Sequence, residues 1–129
     1  SLCAHKKQKI DAKDTSILIK RVENLCNNTH FIKRFFTDKE ITLFSQKNNS
    51  PKTITANFCG KEAFSKAIGT GIRGFSLKDI EILRDNLGKP YVNLYNSLKH
   101  YSEENNIYIS FSHTDSIASA FVIIERKQI

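Results

Sequence analysis

Apolar positions change their spacing along the chain, and the change predicts helices in the first half and strands in the second. Over residues 10–28, apolar residues recur near helical spacing among basic ones, which predicts a helix. The run Thr37-Asp-Lys-Glu matches a capping box, so a second helix begins at Thr37. Ser50 and Pro51 match a cap followed by proline at the first helical position. The longest predicted helix runs from there towards Gly69, where glycine favours a stop.

Beyond the long helix the apolar period falls to two, which is typical of half-buried strands. Two short strands joined by a tight turn predict a hairpin, and a helix then precedes two stronger strands. The segments are residues 80–83 and 91–94 for the hairpin, 97–105 for the helix, and 107–111 and 118–124 for the last strands. This order predicts an α+β fold in which an antiparallel sheet packs against a long helix and shorter helices. With no repeat and no linker, we expect one domain over residues 1–129.

Charge and composition narrow the classes of partner. The chain has 20 Lys and Arg against 13 Asp and Glu, which gives a formal net charge of +7. Such a surface attracts polyanions, namely nucleic acid, anionic lipid, a phosphate-rich cofactor or an acidic protein. No window approaches the roughly 18 consecutive apolar residues that a membrane span needs, and the first residues are polar and basic. Three cysteines without CxxC spacing predict reduced thiols. We expect a cytoplasmic protein, with an organelle left open if a leader has been removed.

The strongest candidate for chemistry is the run FCGKEAFSKAIGTGI over residues 58–72. On a helix, Glu62 and Lys66 lie four residues apart on one face, and the helix then opens into Gly69-Thr70-Gly71. The plainest interpretation is an exposed ion pair that contributes about 0.3–0.5 kcal/mol, followed by glycines that end the helix. The alternative is a site in which a carboxylate, an ammonium and a flexible glycine loop converge.

Three motifs in this order resemble those of one enzyme family. The pattern FxxKEAxxKAxGTGI over residues 58–72 resembles the signature of the AcpS-type 4′-phosphopantetheinyl transferases. The Gly-Lys-Pro turn at residues 88–90 and the Ile-Ser-Phe-Ser-His-Thr segment at residues 109–114 are similar to later motifs of that family. The early segments that begin at Phe31 and Thr37 also look like the family's. The resemblance covers about residues 31–125 and implies the phosphopantetheinyl transferase fold.

The resemblance also implies a reaction. Family members catalyse attack by a serine of an acyl carrier protein on the β-phosphate of coenzyme A, which releases adenosine 3′,5′-bisphosphate. Catalysis of this kind rests on positioning and on neutralising phosphate charge, and Mg²⁺ suits it because Mg²⁺ bridges phosphate oxygens with one or two protein carboxylates. By resemblance Glu62 and Lys66 are both catalytic residues: Glu62 is a metal ligand, and Lys66 lies beside the phosphates of the cofactor. The serine proton goes either to Glu62 or to a water on the metal.

The family's cofactor-binding positions fall on two further segments. Gly69, Thr70 and Gly71 correspond to the loop beside the cofactor, where backbone amides approach phosphate oxygens. His113 matches a family position near the cofactor across a subunit boundary. A lone histidine between strands also suits a hydrogen-bonded structural role, so both interpretations of His113 stay open.

The resemblance weakens at the N-terminus, where the family's second metal ligand is expected. The family carries Gly-x-Gly-x-Asp on an apolar strand, followed a few residues later by Arg-Ile. The corresponding stretch here, KIDAKDTSI over residues 9–17, has neither glycine. Asp11 is the preferred counterpart of the family's aspartate. Asp14 is the alternate: if Arg21 is aligned with the family's arginine, the aspartate falls at Thr15, one residue after Asp14. A slip of one residue on a strand exchanges its faces, so these registers are not equivalent.

The basic charge has a natural partner in this family, because acyl carrier proteins are strongly acidic. Lys20, Arg21, Lys33 and Arg34 lie on segments that resemble the family's carrier-docking surface, and they would steer encounter by long-range attraction. By resemblance alone we expect a homotrimer with active sites between subunits, for fatty acid biosynthesis, with no nucleic acid and no membrane as partner.

Two other classes of function are kept as alternatives. A small basic nucleic-acid-binding domain would explain the charge and the aromatic strand residues Tyr108 and Phe111, but it leaves the motif of residues 58–72 unexplained. A non-catalytic carrier-binding paralogue would explain the altered N-terminus. A magnesium-dependent activity separates the enzyme from both.

Overall fold

The structure, a computed structural model, describes residues 10–69 and 74–128, with the backbone alone described over residues 10–18. The strands are β1 (Ile10–Leu18), β2 (Ile80–Arg84), β3 (Pro90–Leu94), β4 (Asn105–His113) and β5 (Ile117–Arg126). The α-helices are α1 (Ile19–Glu23), α2 (Thr29–Phe35), α3 (Asp38–Gln46), α4 (Pro51–Ala67) and α5 (Lys99–Glu104). Short 3₁₀ turns cover Leu77–Asp79 and Asn96–Leu98.

The described strands pair into two antiparallel sheets. β5 lies between β1 and β4 in a three-stranded sheet, and β2 pairs with β3 in a separate hairpin. Successive side chains of a strand point to opposite faces, so β5 has one buried face and one more exposed face. The buried face packs on α4, and its members on β5 are Ala118, Ala120, Val122 and Ile124. The α+β fold predicted from the sequence is therefore confirmed, with the long helix lying on the sheet.

A second core cluster lies under the short helices. Phe36 and Phe44 pack edge to face with ring centroids 4.9 Å apart, and Ile54 at the start of α4 joins them. The cluster ties α2 and α3 to the first half of α4, whereas the sheet covers the second half. Of the helices in the described part of the chain, none is long and apolar enough to cross a membrane.

The helix predicted over residues 10–28 is wrong in its first half. Ile10–Leu18 form β1, and each of these nine residues pairs with β5, while α1 begins only at Ile19. Pairing with the edge of β5 gives the segment backbone hydrogen-bond partners along its whole length. Such tertiary pairing overrides a weak helical spacing, because intrinsic propensity is only a weak prior.

The predicted helix starts at Thr37 and Pro51 are confirmed. The Thr37 hydroxyl accepts from the Glu40 amide at 3.2 Å, and the Glu40 carboxylate accepts from the Thr37 amide at 3.1 Å, which completes the capping box of α3. Proline begins α4, where its missing amide proton costs no helical hydrogen bond. The expected cap at Ser50 is wrong in one detail, since its side chain makes no capping hydrogen bond.

A buried ion pair crosses the interface between α3 and α4. Glu40 and Lys61 are both fully buried, and Nζ of Lys61 lies 2.7 Å from Oε1 of Glu40. Oε2 of Glu40 accepts from Nδ2 of Asn57 at 2.9 Å and from the amide of Ile82 at 3.3 Å. Burial raises the pKa of the Glu40 carboxyl and lowers the pKa of the Lys61 ammonium, while each partner's charge opposes the shift of the other. The pair is tolerated in the core because hydrogen bonds surround both charges.

Glu81 connects the β2–β3 hairpin to the start of α3. Its carboxylate accepts from the Thr37 hydroxyl at 2.6 Å, the Tyr95 hydroxyl at 2.7 Å and Nδ2 of Asn93 at 3.1 Å. Burial acts to raise the pKa of Glu81, but these three hydrogen bonds outweigh it and lower the pKa below its usual value. The hydrogen bond to Glu81 raises the pKa of Tyr95 to about 12.

The substitution Tyr95→Phe should lower the free energy of unfolding by about 1 kcal/mol at neutral pH, because Glu81 loses a donor to its charged form. The folded pKa of Glu81 is depressed, so its contribution is present above the unfolded pKa of about 4.3 and is lost as the pH falls through the folded value. The gap between the wild type and Tyr95→Phe should therefore shrink as the pH falls to about 3.

Urea unfolding at both pH values measures this gap. Tyr91→Phe is the matched control, because Tyr91 is an exposed tyrosine on the same hairpin and should leave stability unchanged. An equal loss in Tyr95→Phe at neutral and acidic pH would show that the Tyr95 hydroxyl does not act through the Glu81 carboxylate.

Candidate functional site

Glu62 and Lys66 lie on the last part of α4, four residues apart, as the sequence predicted. Glu62 is half-buried and Lys66 is exposed. Lys66 belongs to the last turn, where its charge complements the partial negative charge of the helix end. α4 ends at Ala67, and Gly69 follows with φ of 82°, a left-handed conformation that glycine adopts without strain. The arrangement places a carboxylate and an ammonium one turn apart just before a change in chain direction.

The surroundings of Glu62 oppose its ionised form. Burial raises the pKa of the Glu62 carboxyl, and the charge of Lys66 acts in the opposite direction. A half-buried carboxylate of this kind gains from any further cation placed beside it, which fits a divalent metal ion that binds through one or two carboxylates. In the described part of the chain, no group of three or more His, Cys, Asp and Glu side chains is placed to hold a metal.

A cavity of about 260 Å³ opens beside Gly69, between the end of α4, helix α5 and the end of β5. Its lining is mixed, with apolar side chains from α4 and β5 and polar ones from α5 and the strand ends. The lining residues are Ala67, Ile68, Gly69, Tyr101, Glu104, Asn105, Ile124 and Arg126. Thr70 and Gly71, the other residues of the predicted glycine loop, lie outside the described residues.

His113 lies at the other end of the sheet from Gly69. It is exposed at the end of β4 and pairs with Ala118 at the start of β5. Ile124, which lines the cavity beside Gly69, is six residues further along β5. At about 3.4 Å per residue this places His113 roughly 20 Å from the glycine end of α4. One chain therefore does not bring His113 together with Lys66 and Gly69.

Asp11 and Asp14 both lie on β1, but on opposite faces of the sheet by register. Asp11 pairs with Ile124, which is buried on the face that packs on α4, and Asp14 pairs with Phe121, which is on the exposed face. Thr15 pairs with Ala120 and shares the face of Asp11. Of the two predicted ligands, only Asp11 therefore lies, by register, on the face of the sheet that packs on α4, the helix that carries Glu62.

Lys61 is a buried residue of the motif for which the sequence indicated no separate role. It precedes Glu62, yet its ammonium is fully buried and bonded to Glu40, while Lys66 is exposed. Successive helix residues lie about 100° apart, so a signal was present: Lys61 shares a helix face with Asn57 and Phe64, both of which are buried. The two lysines of one motif therefore have different environments.

The chain is similar to proteins of one family over most of its length. Residues 10–122 match the model of the 4′-phosphopantetheinyl transferase superfamily. The holo-[acyl-carrier-protein] synthase of Clostridium botulinum (strain Eklund 17B / Type B) is 54% identical over 101 residues, which cover 77% of this chain and 82% of that protein.

Solved structures give the same result. Holo-[acyl-carrier-protein] synthase from Neisseria meningitidis has a TM-score of 0.81 and 30% identity, over 90% of this chain and 98% of that one. The Helicobacter pylori holo-[acyl-carrier-protein] synthase in complex with coenzyme A has a TM-score of 0.75 and 29% identity, over 90% of this chain and 99% of that one.

The substitution Lys66→Ala should raise the pKa of Glu62 further, because it removes the charge that opposes the effect of burial. An NMR titration of the side-chain carboxyl carbons measures this pKa directly. Lys52→Ala is the control, since Lys52 lies 14 residues before Lys66, about 21 Å along the same helix. An unchanged Glu62 pKa in Lys66→Ala would show that the two side chains do not interact.

Proposed function

The chain belongs to the 4′-phosphopantetheinyl transferase superfamily, and we propose that it transfers the 4′-phosphopantetheine arm of coenzyme A to a serine of an apo-acyl carrier protein. The products are holo-acyl carrier protein and adenosine 3′,5′-bisphosphate, and the expected role is in fatty acid biosynthesis, in the cytoplasm. The observation that carries the proposal is Glu62 one turn before Lys66 on α4, directly ahead of the glycine loop. One chain of 129 residues would serve as a single catalytic domain.

Lys66 is proposed to bind the pyrophosphate of coenzyme A. The end of a helix carries partial negative charge, so a pyrophosphate placed there needs positive groups to offset both charges. The exposed ammonium of Lys66 provides such a positive group. Its flexible side chain can stay close to the negative charge that develops on the leaving group during the reaction. Gly69, together with Thr70 and Gly71, is proposed to offer backbone amides to the phosphates, because chain without bulky side chains lets oxygen atoms approach.

Glu62 is proposed to hold Mg²⁺ with one aspartate of β1. Asp11 is the better candidate, because its register position is on the face that packs on α4, while Asp14 has the opposite one. Bound Mg²⁺ supplies Lewis-acid neutralisation of phosphate charge. The Glu62 carboxylate is also proposed to take the proton of the attacking serine. In the transfer the serine oxygen bonds to the β-phosphorus, and the bond from that phosphorus to the oxygen bridging to the α-phosphate breaks.

The carrier protein is proposed to approach the basic side chains of the first two helices. Lys20, Arg21, Lys33 and Arg34 are all exposed. An acidic protein would be steered to them by long-range attraction, which raises the association rate at low ionic strength. These four residues contribute to the net positive charge, and none of them lies on α4, the helix of Glu62 and Lys66.

Assembly as a homotrimer is proposed from the outer face of the three-stranded sheet. Ile117, Phe121 and Tyr108 are 38%, 42% and 53% exposed, and they lie on the side opposite to α4 by strand alternation. Exposed apolar side chains that share one face of a sheet suit a contact with another protein. Because His113 lies roughly 20 Å from Gly69 within one chain, a site that contains both residues requires two chains.

The transfer reaction is tested by incubating the purified protein with coenzyme A, Mg²⁺ and an apo-acyl carrier protein, and reading the carrier's intact mass. We expect a gain of one phosphopantetheine that a chelator abolishes. Glu62→Gln and Lys66→Met should each lower kcat/KM at least about 100-fold, because charge at the pyrophosphate is no longer balanced. Glu103→Gln, an exposed carboxylate on α5, is the control and should be fully active.

A carrier protein that binds but gains no mass with any metal ion would contradict the transferase and favour the non-catalytic carrier-binding paralogue. A gain that survives both the chelator and Glu62→Gln would leave the transferase standing but remove the proposed magnesium site.

The substitution Phe121→Glu should dissociate the trimer and abolish transfer, because it places a charge in an apolar interface and separates His113 from the partner's glycine loop. Sedimentation equilibrium measures the mass, and the intact-mass assay measures transfer on the same sample. Tyr91→Glu is the matched control, since Tyr91 is also 42% exposed but lies on the hairpin. A monomeric wild type with full activity would overturn the proposed assembly.

A further inference from the structure

We propose that Lys61 is a positioning residue for the transfer reaction: its buried ammonium holds the second half of α4, and with it Glu62 and Lys66, in one rotation about the helix axis. The inference rests on the proposed function, in which Glu62 and Lys66 act on the metal and the pyrophosphate. Lys61 itself is not proposed to contact any substrate.

The ammonium of Lys61 is fully committed to the protein. It donates to Oε1 of Glu40 at 2.7 Å, to the carbonyl of Leu77 at 2.8 Å and to the carbonyl of Ile80. A lysine ammonium has three protons, so these three acceptors use all of them. The side chain is completely buried and its Nζ also lies 5.1 Å from the ring centre of Phe36. Lys61 therefore cannot serve as a phosphate ligand, although it stands next to Glu62.

The three acceptors belong to three separate elements. Glu40 is on α3, Leu77 is in the 3₁₀ turn that follows the glycine loop, and Ile80 begins β2. A single side chain thus joins α4 to α3 and to both ends of the Leu77–Asp79 turn. These residues are far apart in sequence and come together only in the folded chain. Their contacts with Lys61 therefore fix the position of α4 against its neighbours and are not needed for the helix itself to form.

The acceptor on α3 is itself held firmly. The carboxylate of Glu40 accepts from the amide of Thr37 at 3.1 Å, from the amide of Ile82 at 3.3 Å and from Asn57 at 2.9 Å. Asn57 lies one turn before Lys61 on α4, so the helix contacts Glu40 at two successive turns. Two contacts on one face fix the rotation of α4 better than one.

The rotation of α4 matters because Glu62 follows Lys61 directly. Side-chain ends lie about 5–6 Å from a helix axis, so a rotation of about 10° moves a carboxylate by about 1 Å. A displacement of 1 Å at a reacting group can lower the rate about 100-fold. Glu62 lies about 100° around the helix axis from Lys61, and Lys66 lies one turn after Glu62. Holding Lys61 in place therefore also holds Glu62 and Lys66 in place.

The test compares three variants with the wild type. Glu40→Gln weakens the contact, and Glu40→Gln combined with Lys61→Met removes both charges at similar volume, which avoids an unpaired buried charge. Leu98→Ala is the control for lost stability alone, since Leu98 is a buried core residue that takes no part in the hydrogen bonds of Glu40 and Lys61 and is not in the proposed site. Conditions are chosen so that all variants are fully folded, as judged by melting curves.

We expect kcat to fall about 30-fold or more in the double variant and about 3–10-fold in Glu40→Gln, with KM for the carrier protein unchanged. Leu98→Ala should lose melting temperature but keep kcat. If the double variant fails to fold, the result for Glu40→Gln decides. Unchanged kcat in the folded variants, or an equal loss of kcat in Leu98→Ala, would overturn the proposal.

Hydrogen exchange supplies a readout that does not depend on the reaction. In the double variant, amides from Glu62 to Gly69 should exchange at least about 10-fold faster than in the wild type, while those from Ile54 to Phe58 stay protected. Wild-type exchange over Glu62 to Gly69 would overturn the role of Lys61 whatever the activity. An inactive wild type with the expected exchange pattern would instead count against the proposed function.

Discussion

The buried pair of Glu40 and Lys61 is the interaction on which the arrangement of the described chain most depends. Removing two charges from water is costly, and the pair is retained because both groups are saturated with hydrogen bonds. An apolar pair of the same volume would give a comparable core, but it would supply no directional bonds to define how the helix is seated. Directional bonds from Lys61 to a carboxylate and two carbonyls define that seating, because each acceptor fixes a distance and an angle.

This constraint separates two tasks that one short motif carries. Lys61 is turned inward and fixes α4, whereas Lys66, five residues later, is exposed in the last turn. The C-terminal end of a helix repels anions, so a pyrophosphate site there cannot rely on the helix dipole and needs cations and loop amides. The proposed site meets this need with Lys66, the Glu62 carboxylate and the glycines that follow the helix.

Much of the fold was predictable from local sequence. The capping box at Thr37, the proline at the start of α4 and the Gly-Lys-Pro turn of the hairpin each depend on residues close in the chain, and each is found where predicted. β1 was not predictable in this way, because its pairing with β5 joins residues about a hundred positions apart. The inward direction of Lys61 was missed because its acceptors lie 16 to 21 residues away, although its helical spacing from Phe64 was a local sign of it. Sequence spacing placed Glu62 and Lys66 on one face of a helix, but it gave no sign that His113 lies at the far end of the sheet.

The position of His113 follows from how the long helix lies on the sheet. α4 covers the face of β5 that carries Ala118 and Ile124, and it runs along the strand so that the glycine end of the helix meets Ile124. His113 leaves β4 beside Ala118, at the opposite end. Residues at the two ends of one rigid layer cannot approach within a chain, because the layer would have to bend. They can meet only between two copies of the chain, and the proposed assembly would use Ile117, Phe121 and Tyr108 on the outer face of the same sheet. The sheet that supports the helix of Glu62 and Lys66 on one face would thus take part in the proposed assembly through the other.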